Sequence, residues 1–445
     1  MFIVIKKLAI QPQKENIQVG QKKRSIAMKK TRKIEKIVNA QPLLVTVDIS
    51  KFKHTGYFRC PDGTEVLPFE FTNNRIGFTI FSSMIERTKS EKRLNRVVIG
   101  FESTGPYAEP LTHYLRNKQV ELVQVNPVHT KRIKEISDNS PGKTDKKDPK
   151  VIADLIELNR VLKVVVPVGI SAELRRLTHA RERYLKVKTL LVNQLYDLVF
   201  LIFPEFGQII KDIQTKTAQY LLNHYLRPQQ IIELGVDQLE TILRKVSRGR
   251  FGREKAEQLF EAAEQSVGIR EGQVSIFKEI NNLLQGIAQQ QVFISDCESD
   301  ICRNLEQISW SRNLLSIKGI GNITVATIIG EVADFTHFKT SDEVEKFAGL
   351  NLFEISSGKH KGQKRISKRG RWLLRKCLYF ASLNVVRKDG IFHDQYQSYL
   401  HRGMLKQKAL IAIARKLLRV IFAIVRDHKE FDCSYYRPNQ LKEAA

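Results

Sequence analysis

Apolar residues fall in short, dense runs over the first third of the chain. Leu43 to Ile49 and Arg96 to Phe101 are almost continuously apolar, the pattern of strands covered on both faces. Gly56 to Cys60 and Glu65 to Phe71 flank Pro61-Asp62-Gly63, which predicts a hairpin around a tight turn. Asn73 to Arg87 has helical spacing at Ile76, Ile80, Met84 and Ile85. Pro106 to Asn117 predicts a helix with proline in its first turn. Val120 to Val125 predicts a strand and Pro127 to Ile136 a helix. Three strands followed by helix, strand, helix, strand and helix make a mixed sheet with helices packed on it. That order is close to the ribonuclease-H type of α/β fold. The polar stretch Ser137 to Lys147, with Pro141-Gly142, predicts a loop leading into a helix over 149–160.

After Pro167 the period changes. Leu174, Leu177, Tyr184, Leu191, Leu195, Leu198 and Ile202 fall on alternating steps of three and four, with Arg181 and Lys188 at polar seam positions. Ile280, Leu284, Ile287, Ile294, Ile301, Leu305 and Ile308 repeat the pattern, with Gln291 and Glu298 in the seam. Two such helices pair either with each other or with those of another copy. The stretch 205–279 between them reads as helical with breaks. From Leu314 a third unit begins. Its opening, Leu314 to Gly321 followed by Ala326, resembles a helix–hairpin–helix element. Gly319 and Gly321 allow a tight turn, and the next helix starts with free N–H groups that attract phosphate beside Lys318. Leu373 to Val386 and Ala409 to Val425 predict amphipathic helices that close a local core.

Charge narrows the function. There are 74 Lys plus Arg against 47 Asp plus Glu, a net charge of +27. A fold does not need that excess, which points to a polyanionic partner, nucleic acid before an anionic membrane. Apolar runs around Val161 and Leu190 are broken by Lys163, Asn193, Gln194 and Asp197, so no membrane span is predicted. The cysteines (Cys60, Cys297, Cys302, Cys377, Cys433) are scattered without a CxxC pair, which indicates neither zinc nor a disulfide framework. They read as reduced thiols of a cytoplasmic protein. Residues 1–40 carry two basic clusters and no secretory pattern, and read as a solvated tail or a phosphate-binding arm. Met28 is an alternative start to Met1.

Four acids stand out against this background. Asp48 ends one apolar run and Glu102 follows another. Asp145 and Asp148 lie three apart where the polar loop enters a helix, and so share a face. Such a hard-oxygen set suits Mg²⁺, or Mn²⁺, in two-metal phosphoryl transfer. A second informative stretch is Asn351 to Trp372, in which no acid follows Glu354 until Asp389. Its Lys359, Lys361, Lys364, Arg365, Lys368 and Arg369 are candidate phosphate contacts. Ser356, Ser357 and Ser367, taken from the residues alone, read as turn formers or phosphate hydrogen-bonders. His360 is not clearly placed to activate them.

Together these features resemble the DEDD transposases of bacterial insertion sequences, also described as bridge-RNA-guided serine recombinases. The residues that carry the resemblance are Val47-Asp48-Ile49-Ser50-Lys51, Phe101-Glu102-Ser103-Thr104-Gly105-Pro106-Tyr107, Asn126-Pro127 and Lys143-Thr144-Asp145-Lys146-Lys147-Asp148. Further along they are Gly319-Ile320-Gly321, Gly349-Leu350, Ser357-Gly358-Lys359 and Ile366-Ser367-Lys368-Arg369-Gly370. The match runs from about residue 43 to 430, and departs in the long basic N-terminus and in Pro149, where a small residue is expected. The resemblance implies a RuvC-like catalytic domain over 41–165, with Asp48, Glu102, Asp145 and Asp148 as metal ligands. It implies a coiled-coil and helical region over 166–310. It implies a mostly helical transposase domain over 311–430, flanked by tails 1–40 and 431–445, with Ser357 (or its neighbour Ser356) as nucleophile. It further implies DNA ends and target as substrates, a non-coding guide RNA, and a nucleoid-associated bacterial location. The coiled coil invites a homodimer or homotetramer, in which the acid-bearing and serine-bearing domains come from different copies. Two other classes fit parts of the chain. One is a RuvC-like structure-selective nuclease without serine chemistry. The other is a nucleic-acid-binding protein whose acids are structural.

Overall fold

A computed structural model of the chain describes residues 41–102, 105–138, 148–354 and 364–432. It divides into two compact units at Val166/Pro167.

The first unit is built on a six-stranded sheet of order β3-β2-β1-β4-β5-β6. The strands are β1 (Leu43–Asp48), β2 (Lys53–Arg59), β3 (Glu65–Thr72), β4 (Val97–Glu102), β5 (Glu121–Val125) and β6 (Val161–Lys163). β1, β4 and β5 are parallel, and the outer pairings are antiparallel. Helices α1 (Arg75–Glu91), α2 (Glu109–Leu115), α3 (Pro127–Asp138) and α4 (Asp148–Glu157) cover the sheet. Alternation along the central strands sorts the two faces. Leu43, Val45 and Val47 join Val97, Ile99 and Phe101 in a core closed by Phe78, Phe81 and Ile85 of α1 and by Leu111 and Leu115 of α2. The opposite face, Leu44 with Val98 and Val123, meets Ile156 of α4. Val151, Ile152 and Leu155 of α4 extend that second core to Val125.

The mixed sheet is the one that the strand and helix order predicts. Local details differ from the sequence pattern. The face of α1 that packs is Gly77, Phe78, Phe81 and Ile85, whereas Ile76 and Ile80 are exposed. Gly77 decides this, because a Cβ there would lie 2.1 Å from the Thr72 carbonyl oxygen, so only glycine lets α1 close on β3. Phe81 then stacks on Phe71 with centroids 4.4 Å apart. The short edge strand β6 was hidden inside an apolar run, and β2 begins at Lys53, three residues before its apolar stretch.

The second unit is almost entirely helical. Its helices are α5 (Ile170–Ile202), α6 (Phe206–Ile209), α7 (Lys216–His224), α8 (Pro228–Ser247), α9 (Arg253–Glu264) and α10 (Gln273–Glu306). α11 (Ser311–Leu315), α12 (Asn322–Val332), α13 (Ser341–Ala348), α14 (Trp372–Val385), α15 (His393–His401) and α16 (Lys406–Asp427) follow. Strands β7 (Leu352–Phe353) and β8 (Arg365–Ile366) form a two-stranded ribbon between α13 and α14. The two heptad stretches are α5 and α10, and they pair with each other. Arg181 meets Glu298 at 2.7 Å and Lys188 donates to Gln291 Oε1 at 2.9 Å. One step of seven forward on α5 is a step of seven backward on α10, so the helices run antiparallel. The far end of this pair and α6 to α9 share one core from Val192 to Ile287. Residues Val325 to Val332 of α12 are buried without interruption. There α5 passes so close that a Cβ on Gly330 would lie 2.7 Å from the Arg175 backbone nitrogen.

Candidate functional site

Strand β1 ends at Asp48 and strand β4 at Glu102. The two strands are parallel neighbours with Val47 opposite Phe101, so the two acids leave the sheet side by side. By alternation Asp48 follows Thr46 and Leu44 onto the α4 face, and Glu102 follows Gly100 and Val98 onto the same face. This is also where the chain reverses direction: β1 leads on to β2 at one side and β4 to β5 at the other. In open α/β sheets that crevice, beyond the carboxyl ends of the strands, is where ligands bind.

Helix α4 completes the edge. Its first residue is Asp148, and it runs back across the strands, with Pro149 beside Thr46 and Ile156 against Gly100. The Thr46 hydroxyl, fully buried, donates to the Pro149 carbonyl oxygen at 2.6 Å. The far end of α4 is held by Arg59, whose guanidinium meets Asp154 at 2.7 Å and Glu157 at 3.2 Å. Burial works against the Arg59 charge, but its hydrogen bonds with Asp154 and Tyr57 outweigh this and raise its pKa. Burial, with Glu65 beside it, pushes the Tyr57 phenol up to about 12.

A second brace ties the two acid-bearing connections together. Asn73 Nδ2 donates to the Lys51 carbonyl, three residues past Asp48, at 3.2 Å, and to the Tyr107 carbonyl, five past Glu102, at 3.4 Å. The Ser50 N–H donates to Nδ1 of the fully buried His54 at 3.2 Å. That bond requires an unprotonated Nδ1. Burial lowers the His54 pKa, against a smaller upward pull from Asn73.

The structure thus brings Asp48, Glu102 and the head of α4 to one sheet edge. Asp145 lies outside the described residues, and Asp148 is described by its place in the helix. Among the described residues no group of three or more His, Cys, Asp or Glu is gathered for a metal. Asp48 and Glu102 are two hard-oxygen donors, and a carboxylate at Asp148 would make a third of the same chemistry. The donor set therefore fits Mg²⁺ or Mn²⁺.

In the second unit the basic stretch forms a hairpin. Leu352 pairs with Ile366 and Phe353 with Arg365, and the connection between them carries Ser356, Ser357, Lys359 and Lys361, outside the described residues. Its base is tightly anchored. Ser367 Oγ donates to Asn351 Oδ1 at 2.5 Å, and Arg371 N donates to the Phe347 carbonyl at 2.9 Å. A Cβ on Gly370 would lie 2.3 Å from the Phe347 carbonyl oxygen, so this motif glycine permits the close crossing. Lys364 stands 3.9 Å from Glu354 and Lys318 stands 3.7 Å from Asp389, both exposed and worth little in stability. Gly319, at φ +99°, makes the turn before α12, and Gly321 is the N-cap of that helix.

A buried polar group also meets Arg371 at the base of this hairpin. Glu331 of α12, 1% exposed, meets His179 Nε2 of α5 at 2.6 Å and Arg371 at 3.8 Å. Burial raises the Glu331 pKa, but His179, Arg175 and Arg371 outweigh it and leave the group lowered. The indole of Trp372 lies edge-on to His179, with Lys186 over its face at 4.5 Å. The only sequence signal was a glutamate in the otherwise apolar run Ile328-Ile329-Gly330-Glu331-Val332. Thr46, in Leu43-Leu44-Val45-Thr46-Val47, was a signal of the same kind.

Two family models match the chain. A DEDD transposase model of the IS110 type covers residues 45–204. A model described as transposase, IS116/IS110/IS902 family, covers 311–397. Among similar proteins is an uncharacterized 44.8 kDa protein of insertion element IS116 from Streptomyces clavuligerus. It is 27% identical over 65% of this chain and 73% of its own length. An uncharacterized 43.6 kDa protein of insertion element IS110 from Streptomyces coelicolor is 23% identical over 86% of this chain and 93% of its own. An uncharacterized 42 kDa protein of insertion element IS900 from Mycobacterium paratuberculosis is 27% identical over 68% and 75%.

Proposed function

We infer that this chain, which carries a DEDD transposase domain and a second transposase domain of the IS110/IS116 type, is the transposase of an insertion element and cuts and rejoins DNA. The finer reading assigns roles within it. Asp48, Glu102, Asp145 and Asp148 would hold divalent cations. When bound, such ions lower the pKa of an attacking oxygen and stabilise a leaving one. Ser357, carried on the basic hairpin, is the nucleophile. Its Oγ bonds to a DNA phosphorus, the bond from that phosphorus to one DNA oxygen breaks, and the freed oxygen takes up a proton. A hydroxyl at another DNA end then displaces the serine. Lys359, Lys361, Lys364, Arg365, Lys368 and Arg369 hold phosphate, as do Lys318 and the Gly319 to Gly321 turn. A guide RNA from the element supplies sequence selection by pairing, while the protein reads backbone and shape. The acid-bearing unit and the serine-bearing unit act on one DNA from different copies of the chain, in a dimer or tetramer.

The observation that supports this most is the meeting of three chain segments at one sheet edge. Asp48 and Glu102 end neighbouring parallel strands, and α4, headed by Asp148, starts on the same face. Purified protein with element RNA, Mg²⁺, and donor and target DNA is expected to recombine them. Asp48→Asn and Ser357→Ala are each expected to abolish the product. Full activity in Ser357→Ala would overturn the serine role, and full activity in Asp48→Asn would overturn the metal role.

A further inference from the structure

Apolar packing fixes how far α4 stands from the sheet but only weakly fixes its position along it, because such contacts are non-directional. Val151, Ile152 and Leu155 provide that packing. A hydrogen bond is directional over a few tenths of an ångström. The Thr46 hydroxyl is placed to supply this. It sits on the central strand two residues before Asp48, and its partner, the Pro149 carbonyl, belongs to the residue after Asp148. The two partners are 103 positions apart in sequence, so the bond is a tertiary tie. A hydroxyl is also an unfavourable choice for bulk packing here, since Thr46 is fully buried and valine has nearly its shape. A carbonyl oxygen has two lone pairs, so Pro149 can accept from Thr46 and still serve the helix.

We propose that Thr46 is a positioning residue for the acid site: its hydroxyl grips the first turn of α4 and sets where Asp148 stands beside the ends of β1 and β4. Arg59 holds the other end of the helix through Asp154 and Glu157, so α4 is pinned at both ends. This rests on the reading that Asp48, Glu102 and Asp148 bind divalent cations. Cation affinity depends on ligand placement: loss of a hydrogen bond made to a ligand itself lowers metal affinity by roughly 10–100-fold, and the Thr46 bond acts on the backbone of the residue next to one.

The test is Mn²⁺ titration of the full-length protein, followed by the electron paramagnetic resonance signal of free Mn²⁺, with a thermal melt of each variant. Thr46→Val is expected to bind Mn²⁺ about tenfold more weakly while melting close to the parent. Thr46→Ser, which keeps the hydroxyl, is expected to restore the affinity. Thr46→Ala, without added bulk, carries the same expectation as valine should the latter fold poorly. Asp48→Asn separates the positioning role from the cation site itself. If it lowers Mn²⁺ affinity while the valine and alanine variants bind as the parent does, the positioning role is overturned and the cation site stands. If it leaves Mn²⁺ affinity unchanged, the cation reading falls and this proposal with it. Loss of fold in both the valine and alanine variants, or failure of serine to rescue, would make Thr46 a packing residue and overturn the proposal.

Discussion

His54 holds the turn that follows Asp48 only while its Nδ1 is unprotonated. Its folded pKa lies below the ordinary value, so as pH falls the unfolded chain takes up the proton first. Stability from this group is therefore complete above about pH 6.5 and is lost as pH drops from there toward the lowered folded value. Melting of the protein at pH 8 and pH 5.5 is expected to show a smaller drop in His54→Gln than in the parent, since glutamine offers an acceptor that does not titrate. An equal drop in both would remove His54 as the cause. Asp48 and Glu102 were legible in the sequence, because an acid closing an apolar run marks a strand end. The partners of His54, Thr46, Asn73 and Glu331 were not, because each acts on a residue remote in sequence or across a loop. Only the pairing of elements reveals such partners.

Elements were legible where one feature dominated. The heptad helices α5 and α10 announced themselves, and even their polar seam positions meet as partners, Arg181 with Glu298 and Lys188 with Gln291. What spacing left open was whether the partner lay within the chain, and the antiparallel pairing within the chain answers that for this seam. In helix α1 two stripes of apolar residues overlap between Ile76 and Ile85, and a glycine, not a large side chain, selects the buried one. Helix α13 gives an element-scale prediction. Its Glu345, 2% exposed, is clamped by Arg415 and Arg419 of α16. Truncating the acid removes charge-assisted hydrogen bonds worth about 1.5–3 kcal/mol, and the two arginines left behind are partly exposed and can be solvated. Glu345→Ala is therefore expected to lower the melting temperature of the helical unit by several degrees. An unchanged melt would mean that α13 and α16 are held by their apolar contacts alone.

At the scale of the molecule, an acid-bearing sheet and a basic serine-bearing hairpin sit in separate compact units of a chain with net charge +27. A nuclease needs only the first chemistry, with the second unit serving to bind. A transposase that rejoins strands through serine needs both at one phosphate, and leaves a distinguishable trace, a covalent protein–DNA link. The direct measurement is a denaturing gel of labelled element-end DNA incubated with protein, element RNA and divalent metal. A slow-migrating, protease-sensitive adduct is expected in the parent protein. None is expected without metal, in Asp48→Asn or in Ser357→Ala. Cleaved DNA without an adduct, or an adduct that persists in Ser357→Ala, would contradict the serine chemistry.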